Sequence, residues 1–160
     1  MAESGDAEST VTMTRTIDAP REDVFEVWTT AEHLASWWGP AGYSLPVCQL
    51  DFRRGGAFRY RMRSPDGADD WLHGVFQEIR APERLVFTFA WGDASGAREP
   101  STLVTVTFED VAGKTKLSVR HTGLASVLAA RDHEGGWSQC LDRLERHASA
   151  AASSRGLLAR

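Results

Sequence analysis

The hydrophobic pattern divides the chain into a strand, two short helices, a β-rich middle and a closing helix. Thr10 to Ile17 alternates threonines with larger side chains, which predicts a β-strand. After Pro20, apolar residues recur at three- and four-residue steps as far as Ala31. A second stretch, from Glu32 to Trp37, stops before Gly39 and Pro40. The pattern therefore predicts two short helices between Pro20 and Trp38.

The middle of the chain has a two-residue period and predicts six strands. The clearest of them places Phe58, Tyr60 and Met62 on one face and three arginines on the other. The other predicted strands are Val47 to Asp51, Trp71 to Ile79, Leu85 to Trp91, Val104 to Phe108 and Leu117 to His121. A polar loop is predicted from Gly92 to Pro100.

The strand from Trp71 to Ile79 has no decisive alternation. Its inward face is either the set Leu72, Gly74 and Phe76 or the set His73, Val75 and Gln77. Each set holds at least one large apolar side chain, so periodicity alone leaves both alternatives open.

The end of the chain predicts one amphipathic helix. Its apolar face is marked at helical spacing by Trp137, Cys140, Leu141, Leu144 and Ala148. Because adjacent glycines disfavour helix, we expect the regular helix to begin near Gly135 and Gly136. These elements predict one domain over residues 10–148, a disordered segment over 1–9 and a flexible tail over 149–160.

Composition excludes several classes of function. The 160 residues carry a formal net charge of -4, which offers no electrostatic footprint for nucleic acid. The arginines from Arg53 to Arg63 are interpreted as a solvated strand face. No apolar run approaches the roughly 20 residues that cross a bilayer. The polar N-terminus and two unpaired cysteines predict a cytoplasmic protein with reduced thiols.

Catalytic motifs are absent from the sequence. The five histidines show no metal-ligand spacing, and no Gly-x-Ser-x-Gly elbow or glycine-rich phosphate loop occurs. Asp69 and Asp70 are adjacent, so their side chains point to opposite faces of a strand. The sequence therefore predicts no catalytic residue, no metal site and no cofactor.

Large side chains on the inward faces are the candidate binding residues, since aromatic walls are typical of ligand cavities. The set is Trp37, Trp38, Phe58, Tyr60, Met62, His73, Phe87, Phe89, Trp91, Val106, His121, Trp137 and Leu141. Tyr60 favours a cavity because a buried phenol needs a hydrogen-bond partner. The alternative for each member is ordinary core packing, and a lone histidine such as His121 is usually a satisfied core residue.

Several short motifs, in order along nearly the whole chain, carry a family resemblance. They include Ala19-Pro20, Trp37-Trp38-Gly39-Pro40, the segments from Asp51 to Gly56 and from Ala81 to Phe89, His121-Thr122-Gly123 and Gly136-Trp137. With these motifs the chain resembles the activator-of-heat-shock-ATPase homologue family of the START-like, helix-grip (SRPBCC) superfamily. The resemblance implies an α+β fold in which seven curved antiparallel strands grip the C-terminal helix and leave a cavity.

Three functions follow as expectations. The first is non-enzymatic binding of a hydrophobic or aromatic small molecule, of the lipid, polyketide or antibiotic kind, in an internal cavity. The second is a polyketide cyclase or dehydratase in which Tyr60 or His121 acts as acid or base. The third is a co-chaperone-like interaction module of the stress response, with a chaperone or a second copy of the chain as partner.

Overall fold

The computed structural model describes residues 9–158, with side chains as far as residue 152. The predicted disorder of residues 1–9 therefore falls, except for Ser9, outside the described residues. Three helices are present: α1 (Arg21–Thr29), α2 (Ala31–Trp37) and α3 (Val127–Leu158). The strands are β1 (Val11–Ile17), β2 (Ser44–Leu50), β3 (Ala57–Arg63), β4 (Asp69–Arg80), β5 (Arg84–Asp93), β6 (Gly96–Ala97), β7 (Thr102–Val111) and β8 (Lys114–Thr122).

All strands belong to one curved, unclosed antiparallel sheet in the order β1-β8-β7-β5-β4-β3-β2. The two-residue strand β6 pairs with β5 inside the predicted polar loop, through Gly92 opposite Ala97. Helix α3 packs against β1, α1 and α2. The α+β helix-grip prediction is confirmed, with seven main strands and one short addition.

The alternation predicted for β3 is confirmed, and its pairing settles the inward face of β4. Phe58 lies opposite Gly74 and Tyr60 lies opposite Leu72, and all four are buried. Gly74 is required here, because a Cβ at this position would lie 2.2 Å from Cζ of Phe58 and 2.1 Å from the Thr88 carbonyl oxygen. The set of Leu72, Gly74 and Phe76 is therefore the inward one.

The outer face of β3 holds the arginines in ordinary surface contacts. Arg61 and Arg63 pair with Asp69, with shortest N–O distances of 3.0 and 2.9 Å. The Arg59 guanidinium carbon lies 4.6 Å from the centre of a Trp71 ring, a cation–π contact. These contacts are those of a solvated strand face.

The predicted start of the last helix is wrong. Helix α3 begins at Val127, about two turns before Gly135, and Ser126 Oγ accepts a hydrogen bond from the Ala129 N–H at 3.0 Å. This N-cap, and packing of the helix face that follows, outweigh the roughly 1 kcal/mol that each glycine costs. Residues 149–158 continue the same helix. Flexibility of the tail stays a prediction.

The core lies between the concave face of the sheet and the three helices. Its aromatic centre is Trp28, whose ring centroid lies within 6.5 Å of those of Trp37, Trp38, Phe87, Phe108 and Trp137. Among helices in the described residues, none is long and apolar enough to cross a membrane.

Candidate functional site

A cleft of about 240 Å³ opens at one end of the core, between α3 and the sheet. It is open to solvent on one side, so the expected fully enclosed cavity is not what the structure has. The α2–β2 loop, β3, β4, β5 and α3 all contribute to its wall. The lining residues are Trp38, Gly39, Pro40, Tyr43, Met62, Asp70, Phe89, Trp91, Asp132, His133, Gly136, Trp137 and Cys140.

One wall of the cleft is held by a hydrogen bond between a side chain of β5 and a side chain of α3. The Trp91 indole N–H donates to His133 Nε2 at 3.2 Å, and His133 Nδ1 lies 2.8 Å from the Ala129 carbonyl oxygen. Because a carbonyl only accepts, Nδ1 carries the proton and Nε2 is the acceptor. Both nitrogens of a neutral ring are thus used, and the Trp91 ring is held in place.

Trp137 is fixed from the back by a chain of hydrogen bonds through His121. Its indole N–H donates to His121 Nδ1 at 3.1 Å, and His121 Nε2 lies 2.7 Å from Thr102 Oγ1. The Thr102 hydroxyl donates to the Phe89 carbonyl at 2.8 Å, so His121 Nε2 must be the donor. Burial lowers the pKa of His121 to about 3. The ring is neutral and fully bonded.

Arg143 holds the loop that forms the opposite wall. One guanidinium nitrogen donates to the carbonyl oxygens of Trp38, Gly39 and Pro40 at 3.3, 3.0 and 3.0 Å. The Gly39 N–H reaches Sγ of Cys140 at 3.4 Å. Burial raises the pKa of Cys140 to about 12, so this sulfur is a thiol and not a nucleophile.

Two carboxylates stand at the solvent side of the cleft. Asp70 comes from the start of β4 and Asp132 from the second turn of α3, and both are exposed. The rest of the wall is dominated by aromatic and other apolar surface. The arrangement suits an apolar body in the cleft and a polar or charged group at its rim.

Trp38 separates the cleft from a second cavity deeper in the core. This inner cavity measures about 10 Å³, close to the volume of one water, and its wall includes Trp38, Phe58, Tyr60 and Phe87. Burial raises the pKa of Tyr60 well above its ordinary value, so the phenol keeps its proton. The inner cavity is too small for an organic ligand.

The predicted binding residues fall into four places. Five line the cleft: Trp38, Met62, Phe89, Trp91 and Trp137. Three line only the inner cavity: Phe58, Tyr60 and Phe87. Their role in binding stays a prediction.

The other five candidates line neither cavity. Trp37, Val106, Leu141 and His121 are fully buried in the core and touch neither cavity. His73 lies on the outer face, because the inward phase of β4 runs through Leu72, and its Nε2 lies 2.7 Å from the Asp93 carbonyl oxygen.

Sequence reasoning missed the α3 residues that precede Trp137. Asp132, His133, Gly136, Trp137 and Cys140 follow the three- and four-residue steps of one helix face. Because the helix was predicted to begin near Gly135, Asp132 and His133 fell outside it, and their spacing relative to Trp137 was not recognised. The N-cap Ser126 was the signal that could have shown it.

Residues 18–149 match the family model described as "Activator of Hsp90 ATPase homolog 1-like protein". This match covers most of the chain. The chain belongs to this family. No curated protein matches the chain.

Solved structures share the fold. A protein from Nitrosomonas europaea is 24% identical with a TM-score of 0.79, and the match covers 92% of this chain and 99% of that one. The AHSA1 protein from Silicibacter pomeroyi is 25% identical with a TM-score of 0.79, covering 91% and 99%. A protein from Chromobacterium violaceum is 24% identical with a TM-score of 0.78, covering 88% and 97%. None of these descriptions names a ligand.

Among the described residues, no group of three or more His, Cys, Asp or Glu side chains is placed to hold a metal ion. In the cleft, His133 uses both ring nitrogens and Cys140 stays protonated. What the arrangement supplies is shaped apolar surface with two rim carboxylates.

Proposed function

We propose that this protein binds an apolar, partly aromatic small molecule in the cleft without transforming it. The observation that carries the proposal is the cleft itself. Its walls include Trp38, Phe89, Trp91 and Trp137. Its volume of about 240 Å³ is a little below the range of roughly 300–1,000 Å³ that is usual for ligand pockets, which suits a small ligand. Apolar area removed from water there contributes roughly 25 cal/mol per Å². The family's fold supports this proposal, because it is a ligand-binding fold.

The walls are fixed before any ligand arrives. The hydrogen bonds from Trp91 to His133 and from Trp137 to His121 hold two indoles, and Arg143 holds the loop behind Trp38. A preformed site loses little side-chain freedom on binding. Rigid aromatic walls therefore favour one flat ligand over a flexible chain.

The cyclase alternative requires Tyr60 or His121 as an acid or base, and neither residue lines the cleft. His121 lies in the core with both ring nitrogens hydrogen bonded. Tyr60 faces the inner cavity. Neither borders the cleft, so an acid–base role for them on a substrate bound there has no geometric support.

A fluorescence titration with N-phenyl-1-naphthylamine, a neutral probe that brightens in apolar surroundings, tests the proposal. We expect saturable binding to the wild type. Gly136→Leu should abolish it, because a side chain there projects across the cleft towards Pro40. Gly135→Leu is the matched control, since its Cβ would meet nothing within 4 Å. Equal binding by both variants, or none by the wild type, contradicts the proposal.

A second candidate is stimulation of a chaperone ATPase, which the description of the family favours. The test is the ATPase rate of the host's Hsp90 homologue with and without this protein. Stimulation that Gly136→Leu leaves unchanged would support this candidate, because the interaction would then not use the cleft. No stimulation at a tenfold molar excess would remove it.

A further inference from the structure

We propose that the ligand of the cleft carries a positively charged nitrogen, which lies at the rim beside Asp70 and Asp132. This inference rests on the proposed function and names the ligand class. The two carboxylates enter from different walls, one from β4 and one from α3. None of the described residues that line the cleft is a lysine or an arginine. The rim therefore presents negative charge alone.

The rim carboxylates differ from their neighbours in being left without a cation. Asp69, next to Asp70, is paired with Arg61 and Arg63, at 3.0 and 2.9 Å. Within the described residues, neither Asp70 nor Asp132 takes part in an ion pair or a side-chain hydrogen bond. The fold thus neutralises the carboxylate on the outer face and leaves available the two at the cleft.

His133, which lines the cleft and follows Asp132 on α3, supplies no positive charge in this arrangement. Its Nδ1 must donate to the Ala129 carbonyl, and its Nε2 must accept from Trp91. Both conditions hold together only for the neutral ring. An incoming cation would therefore meet two carboxylates at the rim, while the Arg143 guanidinium lies behind the loop wall, hydrogen bonded to the carbonyl oxygens of that loop.

The aromatic walls suit a cation as well as an apolar body. The indole N–H groups of Trp91 and Trp137 are bonded to histidines. One face of the Trp137 ring stacks on Trp28, and the remaining surface of both rings lines the cleft with Trp38 and Phe89. A cation within about 6 Å of an aromatic face is attracted to it, and several aromatic walls together form the kind of site that binds organic ammonium groups. Carboxylates at the rim add a direct charge interaction.

Three ligands that share one ring system and differ in charge distinguish the effect of charge on affinity from the effect of shape. We would measure displacement of N-phenyl-1-naphthylamine by 1-naphthylmethylammonium, 1-naphthylmethanol and 1-naphthoate. We expect the ammonium to bind about tenfold more tightly than the alcohol, and the carboxylate to bind most weakly. In the double variant Asp70→Asn with Asp132→Asn, the spread between the three affinities should shrink several-fold, and the ammonium should keep only the smaller preference that the aromatic walls provide. Glu134→Gln, which removes a charge from the same helix without lining the cleft, should keep the order.

Equal affinity for the three compounds in the wild type, or the same spread of affinities in the double variant as in the wild type, would overturn the inference. Either result leaves the proposed function standing, because the neutral probe reports that function separately. If the neutral probe does not bind, 1-naphthylmethylammonium is titrated directly and followed by the indole N–H signals in NMR. No shift at the cleft tryptophans up to millimolar ligand would then overturn both.

Discussion

The two ends of the aromatic layer under α3 use the same residue types with opposite results. At the inner end, Trp28, Trp37 and Phe108 interlock, and the Trp37 N–H donates to the Val27 carbonyl at 2.8 Å. At the cleft end, Trp91 and Trp137 leave a space of about 240 Å³. Aromatic content alone therefore does not predict a cavity.

Two features explain the difference between the ends. First, the cleft indoles are held from behind by His133 and His121, so they need not pack against one another to be fixed. Second, α3 presents Gly136 where a larger residue would fill the gap to Pro40. The core therefore leaves space where α3 carries a residue without a side chain and where each neighbouring indole is held by its own hydrogen bond.

The largest expected effect is on stability when one tryptophan from each end is removed. Trp37→Ala should lower the free energy of unfolding by about 3–5 kcal/mol, because it empties a fully buried site. Trp91→Ala should cost only about 1–2 kcal/mol, because its ring is partly exposed and its hydrogen bond contributes about 1 kcal/mol. Urea unfolding measures both. Equal losses would mean that the cleft end is packed like the inner end.

The anchor of Trp137 predicts a pH dependence of stability. In the unfolded chain His121 titrates near pH 6.5, and in the folded protein burial lowers its pKa to about 3. As pH falls below 6.5, His121 therefore binds a proton in the unfolded state but not in the folded state. Stability is lost at up to about 1.4 kcal/mol per pH unit within that window.

His121→Gln isolates this contribution, since Gln is polar but does not titrate. The stability advantage of the wild type over the variant should shrink by about 2–3 kcal/mol between pH 7 and pH 4.5. Unfolding curves at both values measure it, and acid effects shared by the two proteins cancel. A constant difference would show that His121 is not held neutral.

Arg143 predicts a smaller effect that is specific to the cleft loop. Arg143→Lys should lower stability by about 1–2 kcal/mol, because an ammonium cannot reach the same carbonyl oxygens as the guanidinium. It should also weaken binding of N-phenyl-1-naphthylamine. Arg146→Lys, one turn away and exposed, is the control and should change neither property. Matching losses in the two variants would contradict the role of Arg143.

Alanine substitutions at the two adjacent glycines of α3 distinguish helix stability from ligand binding, with the smallest changes in stability. Gly135→Ala and Gly136→Ala should each raise stability by about 0.5–1 kcal/mol, because alanine favours helix and neither Cβ clashes. Only Gly136→Ala should weaken ligand binding, since only its methyl group enters the cleft. Thermal melts and probe titrations check the pair. Equal binding by both would mean that the ligand does not reach this part of α3.

The fold was predictable from the sequence because its patterns are local. The alternation of Phe58, Tyr60 and Met62 predicts a strand with one buried face, and the structure has it. The pairing that settled β4, Phe58 opposite Gly74, joins residues 16 positions apart and leaves no periodic signal. The start of α3 was missed because Gly135 and Gly136 weaken the local helix signal, whereas packing of the whole helix decides the outcome.

The site was less predictable than the fold. The alternation along a strand predicts which side chains face α3, but it does not predict whether the space next to them is filled. Val106 and Phe89 share that phase, yet Val106 is core and Phe89 lines the cleft. Tyr43 lies in the wall on a loop whose Pro40 carbonyl oxygen accepts hydrogen bonds from both the Tyr43 N–H and the distant Arg143. Such contacts carry no periodic signal.

Small molecules should bind at the cleft end of the aromatic layer and not at the interlocked end, and the six tryptophans report on both ends. The most direct measurement is a ¹H–¹⁵N NMR titration of their indole N–H signals with N-phenyl-1-naphthylamine. We expect saturable shifts at Trp38, Trp91 and Trp137, and little change at Trp37 in the core and Trp71 on the outer face. Shifts that are largest at Trp37 or Trp71, or absent at all six, would contradict it.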